Sequence, residues 1–321
     1  MGDLLTVDAG TLLLVSFGVG IVVGLTGMGG GALMTPALIF LGIPPATAVA
    51  NDLVAAAVNK SVGAVTHARS GSPNLKLAGW LIAGSVPTAF AGAFIIKAVG
   101  GTEEQTSFVK IAIGCALLFT AATYTLRMYL QLRSVTRGAG ISEADPAVRW
   151  LPTLIIGMVG GLLVGITSVG SGSLIMVALL LLYPTLQAVR LVGTDLVQAV
   201  PLVFSAAISH MVVSGVDWSI IIPLIIGGSP GTYLGARIAN WVSQAVVRRG
   251  IVIVLSLTGF AMLEVDPTIV GIVGAAMLIL GPVAWGVVRR QHGLPAFEHT
   301  PGDNNGYPVN HTDSSSESSR R

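Results

Sequence analysis

Apolar stretches separated by short polar, glycine or proline breaks run along nearly the whole chain: 12–25, 32–41, 46–68, 77–99, 108–130, 151–166, 173–183, 188–213, 220–241, 251–265 and 269–288. A helix needs about 20 apolar residues to cross a bilayer, and several of these runs qualify. The runs 32–41 and 173–183 do not. At about 1.5 Å per residue, each covers roughly half of a ~30 Å hydrocarbon core. They are predicted as arms of half-spanning hairpins or as pieces of discontinuous helices. From about residue 291 onward the chain is polar and ends Ser-rich. Without apolar periodicity it is expected to be a disordered tail.

Composition turns this pattern into a fold class. Hydrophobic residues make up 53% of the chain, charged residues 10%, and the mean hydropathy is +0.81. A chain so poor in charge cannot cover a water-facing surface, so most of its exterior must meet lipid. The net charge of +2 comes from basic residues that punctuate the apolar runs, which speaks against nucleic acid as a partner. Arg127, Arg133, Arg137 and Arg149 flank or fill the longest internal loop and place it in the cytoplasm. Counting crossings outward puts Arg69, Lys76, Arg190, Arg248, Arg249, Arg289 and Arg290 on the same side. Glu103, Glu104, Asp217 and Asp266 then fall outside, and Lys97 is the mild exception. The N-terminus is thus expected outside and the C-terminus in the cytoplasm. Met1-Gly2-Asp3 has no basic lead, so no cleaved signal peptide is expected. The single cysteine, Cys115, excludes an intramolecular disulfide and reads as a packing residue. Trp80, Trp150, Trp218, Trp241 and Trp285 lie near run ends, as interfacial anchors do.

The two halves of the chain resemble each other. Residues 23–33 align with 164–174, Asn51-Asp52-Leu53-Val54 with Thr194-Asp195-Leu196-Val197, and Ala64-Val65-Thr66-His67 with Ala207-Ile208-Ser209-His210. Gly84-Ser85 aligns with Gly228-Ser229. By charge, the loop after His67 is cytoplasmic and the loop after His210 external, so the halves are expected to insert upside down. The expected fold is all-α integral membrane: two inverted-topology helical repeats with Gly-broken, half-spanning short helices, plus one extra C-terminal helix. The division is 1–132, first repeat; 133–149, cytoplasmic linker; 150–265, second repeat; 266–290, added helix; 291–321, tail. Inverted repeats with broken helices are the plan of many secondary transporters, whose substrate site lies at the repeat interface.

Two constellations carry candidate chemistry. The first is the pair of glycine-rich turns, Thr26, Gly27, Gly29, Gly30 and Gly31 in one half and Thr167, Ser168, Gly170, Ser171 and Gly172 in the other. Glycines let backbone amides approach a ligand, and a helix N-terminus following the turn favours an anion. Close helix packing through small residues is the bland alternative. The second lies on the long third segment of each half: Asn51, Asp52, Lys60 and His67, matched by Thr194, Asp195, Gln198, Ser205 and His210. Ionisable groups inside a span are costly and mark pathways or proton relays. Lys60 reads as a fixed positive charge or as half of a structural ion pair. Asp52 and Asp195 read as proton carriers or helix caps, and the histidines as proton carriers or interfacial residues. No phosphate loop, His/Cys metal cluster or nucleophile–base pair is present in the sequence, so no enzyme activity, metal or cofactor is expected.

At these residues the chain resembles the sulfite exporter TauE/SafE family, also called the toluene-sulfonate uptake permease family. The resemblance rests on Gly24-Leu25-Thr26-Gly27-Met28-Gly29-Gly30-Gly31-Ala32-Leu33, Gly42-Ile43-Pro44-Pro45 and Ala48-Val49-Ala50-Asn51-Asp52-Leu53. It continues through Lys60, Gly63, His67 and Gly71, then Val192-Gly193-Thr194-Asp195-Leu196 and Ser214-Gly215-Val216-Asp217-Trp218. It implies a multi-pass carrier in a bacterial inner membrane for sulfite, sulfonates, sulfoacetate or a related organic anion. Protons are the coupling ion to test, the bilayer is the surrounding partner, and a homodimer is compatible with the reading. An anion channel and a non-transporting accessory subunit stay open as alternatives.

Overall fold

The computed structural model describes residues 8–26, 30–67, 73–136 and 147–291, apart from single positions 171, 173, 185, 187, 240 and 243; His67 is described in its backbone only. Among the described residues there are eleven α-helices and no strand. They are α1 (Ala9–Thr26), α2 (Gly31–Phe40), α3 (Pro45–His67), α4 (Leu75–Ala98), α5 (Thr102–Thr136), α6 (Trp150–Thr167), α7 (Leu174–Leu182), α8 (Ala188–Val213), α9 (Trp218–Ile238), α10 (Gln244–Met262) and α11 (Pro267–Gln291). Seven helices have a stretch long and apolar enough to cross a membrane, and their outer faces expose large apolar side chains such as Leu14, Phe119, Ile226 and Leu280. The chain is a multi-pass membrane protein. The two runs too short to span emerge as the short helices α2, of 10 residues, and α7, of 9.

Helices of one half pack on helices of the other. α1 lies along α9, and α4 along both α6 and α8. Glycine makes the first two contacts possible. A Cβ on Gly227, Gly231 or Gly235 would run into the backbone of Leu13, Phe17 or Ile21. A Cβ on Gly157, Gly161 or Gly165 would do the same at Leu81, Ser85 or Ala89. In both series the residue numbers rise together, so each pair runs parallel, backbone against backbone. The two seams correspond if Gly84 matches Gly227 and Ser85 matches Gly228, since Gly84 meets Leu154 and Gly227 meets Leu13. That is one residue away from the Gly84-Ser85/Gly228-Ser229 alignment, because backbone contact sets the register and the Gly-Ser pair does not.

The centre of the molecule is the pairing of α3 with α8. Asn51 near the start of α3 accepts through Oδ1 from the N–H of Asp217, just past the end of α8, at 2.9 Å. Thr194 near the start of α8 accepts through Oγ1 from the N–H of Asn74, past the end of α3, at 3.0 Å. The start of each helix therefore meets the finish of the other, and the two run antiparallel. Asn74 and Asp217 are themselves the N-caps of α4 and α9, accepting from Leu77 and Ser219 at 3.0 and 2.9 Å. α8 continues unbroken through Pro201.

One expectation is corrected here. Cys115 is exposed on α5, not packed in the core. An apolar helix wall facing lipid reads like one facing protein, so its position within an apolar run carried no information about its side.

Candidate functional site

The site is built where the two chain breaks meet. α6 ends on Ser168, whose φ of 60° is left-handed, and Gly170 follows at φ 106°. This reversal sends α7 back along α6, so that Tyr183, just after α7, reaches the start of α6. The Tyr183 hydroxyl accepts from the Arg149 N–H at 2.9 Å and bonds the Thr153 hydroxyl at 2.7 Å. The first break delivers Gly31, the opening residue of α2, against the same turn: a Cβ there would strike the backbone carbonyl of Ser168. The first turn of α2, with its helix-end amides, thus lies on the second half's break.

Asp52 fastens this junction. It is buried on α3. Its Oδ2 accepts from the Thr35 hydroxyl of α2 at 2.6 Å and from the Ser168 hydroxyl at 2.7 Å. Both α3 and α8 begin seven residues before their aspartates, at Pro45 and Ala188. Neither aspartate is therefore a helix cap, and the capping reading is replaced by an interior one. The reason is that each helix starts earlier than its Asn-Asp or Thr-Asp pair, leaving that pair two turns inside.

Asp195 is buried on α8 and accepts from the Gln198 amide at 3.4 Å; Gln198 accepts in turn from Ser85 of α4 at 3.3 Å. Lys60 of α3 lies within electrostatic reach of both carboxylates. Arg127 of α5 also acts on Asp195. His210 is fully buried; its Nε2 donates to the Gly165 carbonyl at 2.8 Å while Nδ1 has no partner among the described residues. It is thus an interior group next to the α6 break, not an interfacial one. Asn51 accepts through its oxygen, and its buried Nδ2 has no partner among the described residues.

The structure joins Gly31, Asp52 and Ser168 in one group and Asp195 with Gln198 in another, with Lys60 within electrostatic reach of both carboxylates. Three threonine hydroxyls donate to backbone carbonyls of their own helices. Thr26 bonds the Val23 carbonyl at 3.2 Å, Thr167 that of Leu163 at 2.6 Å, and Thr194 that of Arg190 at 2.7 Å. Ser205 bonds the Val86 carbonyl across the α4–α8 contact at 2.8 Å. Gly27, Gly29, Ser171 and the His67 side chain lie outside the described residues. Sequence reasoning missed Thr35, Ser85 and Arg127 as neighbours of the site. A lone hydroxyl four residues into a short apolar arm was the available signal for Thr35.

Residues 12–262 match the model of the sulfite exporter TauE/SafE family. The chain belongs to that family. It is 36% identical over 232 residues to "Probable membrane transporter protein YjnA" of Bacillus subtilis (strain 168), covering 71% of this chain and 89% of that protein. It is 26% identical over 257 residues to "Probable membrane transporter protein YdhB" of the same organism, covering 78% of this chain and 99% of the relative. No solved structure matches it. The TauE/SafE chain is therefore a membrane transporter by family.

Proposed function

We propose that the protein is a secondary transporter of a small anion across the bacterial cytoplasmic membrane, with its N-terminus outside and its C-terminus inside. Sulfite, a sulfonate, sulfoacetate or a related organic anion is the substrate, and its movement is linked to protons. The observation that carries this reading is the meeting of two glycine-broken hairpins at the buried Asp52, with the half-buried Lys60 within electrostatic reach of that carboxylate and of Asp195. A hairpin tip inside the bilayer offers helix-end amides to an anion, and a cation within the span adds the charge. Lys60 supplies that charge. Gly30, Gly31, Gly170 and Gly172 let the backbone approach, and one of Asp52, Asp195, His67 or His210 carries the coupling proton.

Several features support inverted, half-spanning repeats. The repeat-equivalent helices α3 and α8 run antiparallel, and the two caps that join them are reciprocal. The contact of Tyr183 with Arg149 and Thr153 fits an α6–α7 hairpin that turns at mid-depth and leaves by the side it entered. The family description names sulfite, an oxyanion.

The test is uptake of labelled sulfite and sulfonates into proteoliposomes, with and without a pH gradient. Saturable uptake that responds to the gradient is expected. Lys60→Ala should lower it at least ~10-fold, the scale expected when a charge-assisted contact is lost. Unsaturable flux that ignores the gradient would establish a channel instead.

A further inference from the structure

The two aspartates occupy matching places in the repeats but differ in what holds them. Asp52 ties three elements together: its own α3, Thr35 of α2 and Ser168 of the second break, through two short hydroxyl bonds of 2.6 and 2.7 Å. Asp195 has one long amide bond of 3.4 Å, from a residue on its own helix. Among the described residues, Lys60 from α3 and Arg127 from α5 act on it electrostatically. The α6 and α7 sequences contain no titratable residue, and the lysines of α4 lie near its two ends. Position 203, which matches Lys60 at the offset of the aspartates, is Val203, so the cation has no twin.

We propose that these aspartates divide the work, Asp52 acting as a fixed clasp between the two chain breaks and Asp195 as the group that takes up the proton when the anion binds Lys60. The inference rests on the anion-transport reading above and assigns its coupling site. Lys60 sits in the field of both carboxylates, so an anion gains most from it when one of them is neutral. Both hydroxyls bond Oδ2, and protonating Asp52 would turn these short charge-assisted bonds into weaker neutral ones and loosen the junction of the breaks. Protonating Asp195 disturbs one long amide contact.

The charges then balance. Empty, the cluster holds Lys60 as ammonium and two carboxylates. Occupied by a monovalent anion, it holds the ammonium, the Asp52 carboxylate, the protonated Asp195 carboxyl and the anion. The sum is the same in both states, so one proton accompanies one monovalent anion and the cycle moves no net charge.

The experiment uses the full chain in proteoliposomes with labelled sulfite and a labelled monovalent sulfonate. Two readouts are compared: exchange at equal pH, and accumulation against a pH gradient. With one proton per anion, a gradient of one pH unit drives about tenfold accumulation, since a tenfold ratio equals 1.4 kcal/mol. For the sulfonate, clamping the membrane potential with potassium and valinomycin should leave this accumulation unchanged. Asp195→Asn should bring the accumulation ratio down to about onefold, with a smaller loss in exchange. Ser168→Ala and Asp52→Asn should slow both readouts together and leave the final ratio near tenfold. Ser168→Ala is the milder clasp variant, and size-exclusion profiles and melting midpoints show which variants fold. Accumulation retained by Asp195→Asn, or lost selectively by Ser168→Ala, overturns the assignment while leaving anion transport standing. A wild-type protein that carries neither compound overturns both.

Discussion

The seams between the two halves and the added helix α11 use the same residue in opposite ways. Along α1–α9 and α4–α6, glycine after glycine has a neighbouring backbone where its side chain would be. In α11, Gly271 and Gly281 face open space, and Gly274 meets only the Leu257 side chain, 3.1 Å from where a Cβ would sit. α11 is also hardly buried: 11% of its most apolar window lies inside the protein, against 44% for α6. Lipid is as apolar as leucine, so burying more leucine does not hold membrane helices together. Close backbone approach does, and it is found along α1–α9 and α4–α6 and is absent at Gly271, Gly274 and Gly281 of α11.

This contrast orders what substitutions should do. The largest loss is expected from Gly161→Val, which drives a branched side chain into the Ser85 backbone. Overpacking of this kind costs about 1–3 kcal/mol or more, seen as a lower melting midpoint in detergent; the same change at Gly281 should be near neutral. Next come Thr35→Val and Ser168→Ala, each removing one donor from the buried Asp52. Each should cost about 1–3 kcal/mol, the range for a buried polar group left short of a partner. The double variant should depart from the sum, because both share one carboxylate.

A smaller effect is expected at the exposed ion pair between Lys110 and Glu264, 2.9 Å apart. Lys110→Ala should cost about 0–1 kcal/mol, less at high salt. The smallest is a pH effect at Asp266, whose carboxylate accepts from the Thr268 N–H at 2.8 Å where α11 begins. The backbone N–H of Thr268 holds its pKa below the usual carboxylate value. A depressed folded-state pKa means that the contribution is full above the unfolded value, near ~4. It fades as pH falls through the lower folded value. The difference in melting midpoint between wild type and Asp266→Asn should therefore be constant around neutrality and shrink only in acid.

Helix existence and length were readable because apolar runs and their breakers report them directly. The run 32–41 became α2, and 173–183 became α7 with Tyr183 just beyond its end. The family was readable from the motifs around the breaks. Rotation about the helix axes was not. In water an amphipathic stripe tells which side is buried, but in lipid both sides are apolar, so Cys115 gave no hint that it faces outward. The partners of Asp52 were equally hidden. Thr35 is 17 residues away and Ser168 is 116 away, and only the folded junction joins them. Duplicated motifs also imply equal roles, whereas Asp52 and Asp195 stand in different surroundings.

The reciprocal caps have a consequence for how the protein comes into being. When residues 75–98 leave the ribosome, Thr194, which will hold the Asn74 amide, has not been made. Nor has α9, against which α1 must lie. The early half must wait in the membrane, its glycine grooves filled by lipid, until its mate arrives. A gene cut within the 137–146 connection should therefore yield two fragments that are degraded when made singly and persist when made together.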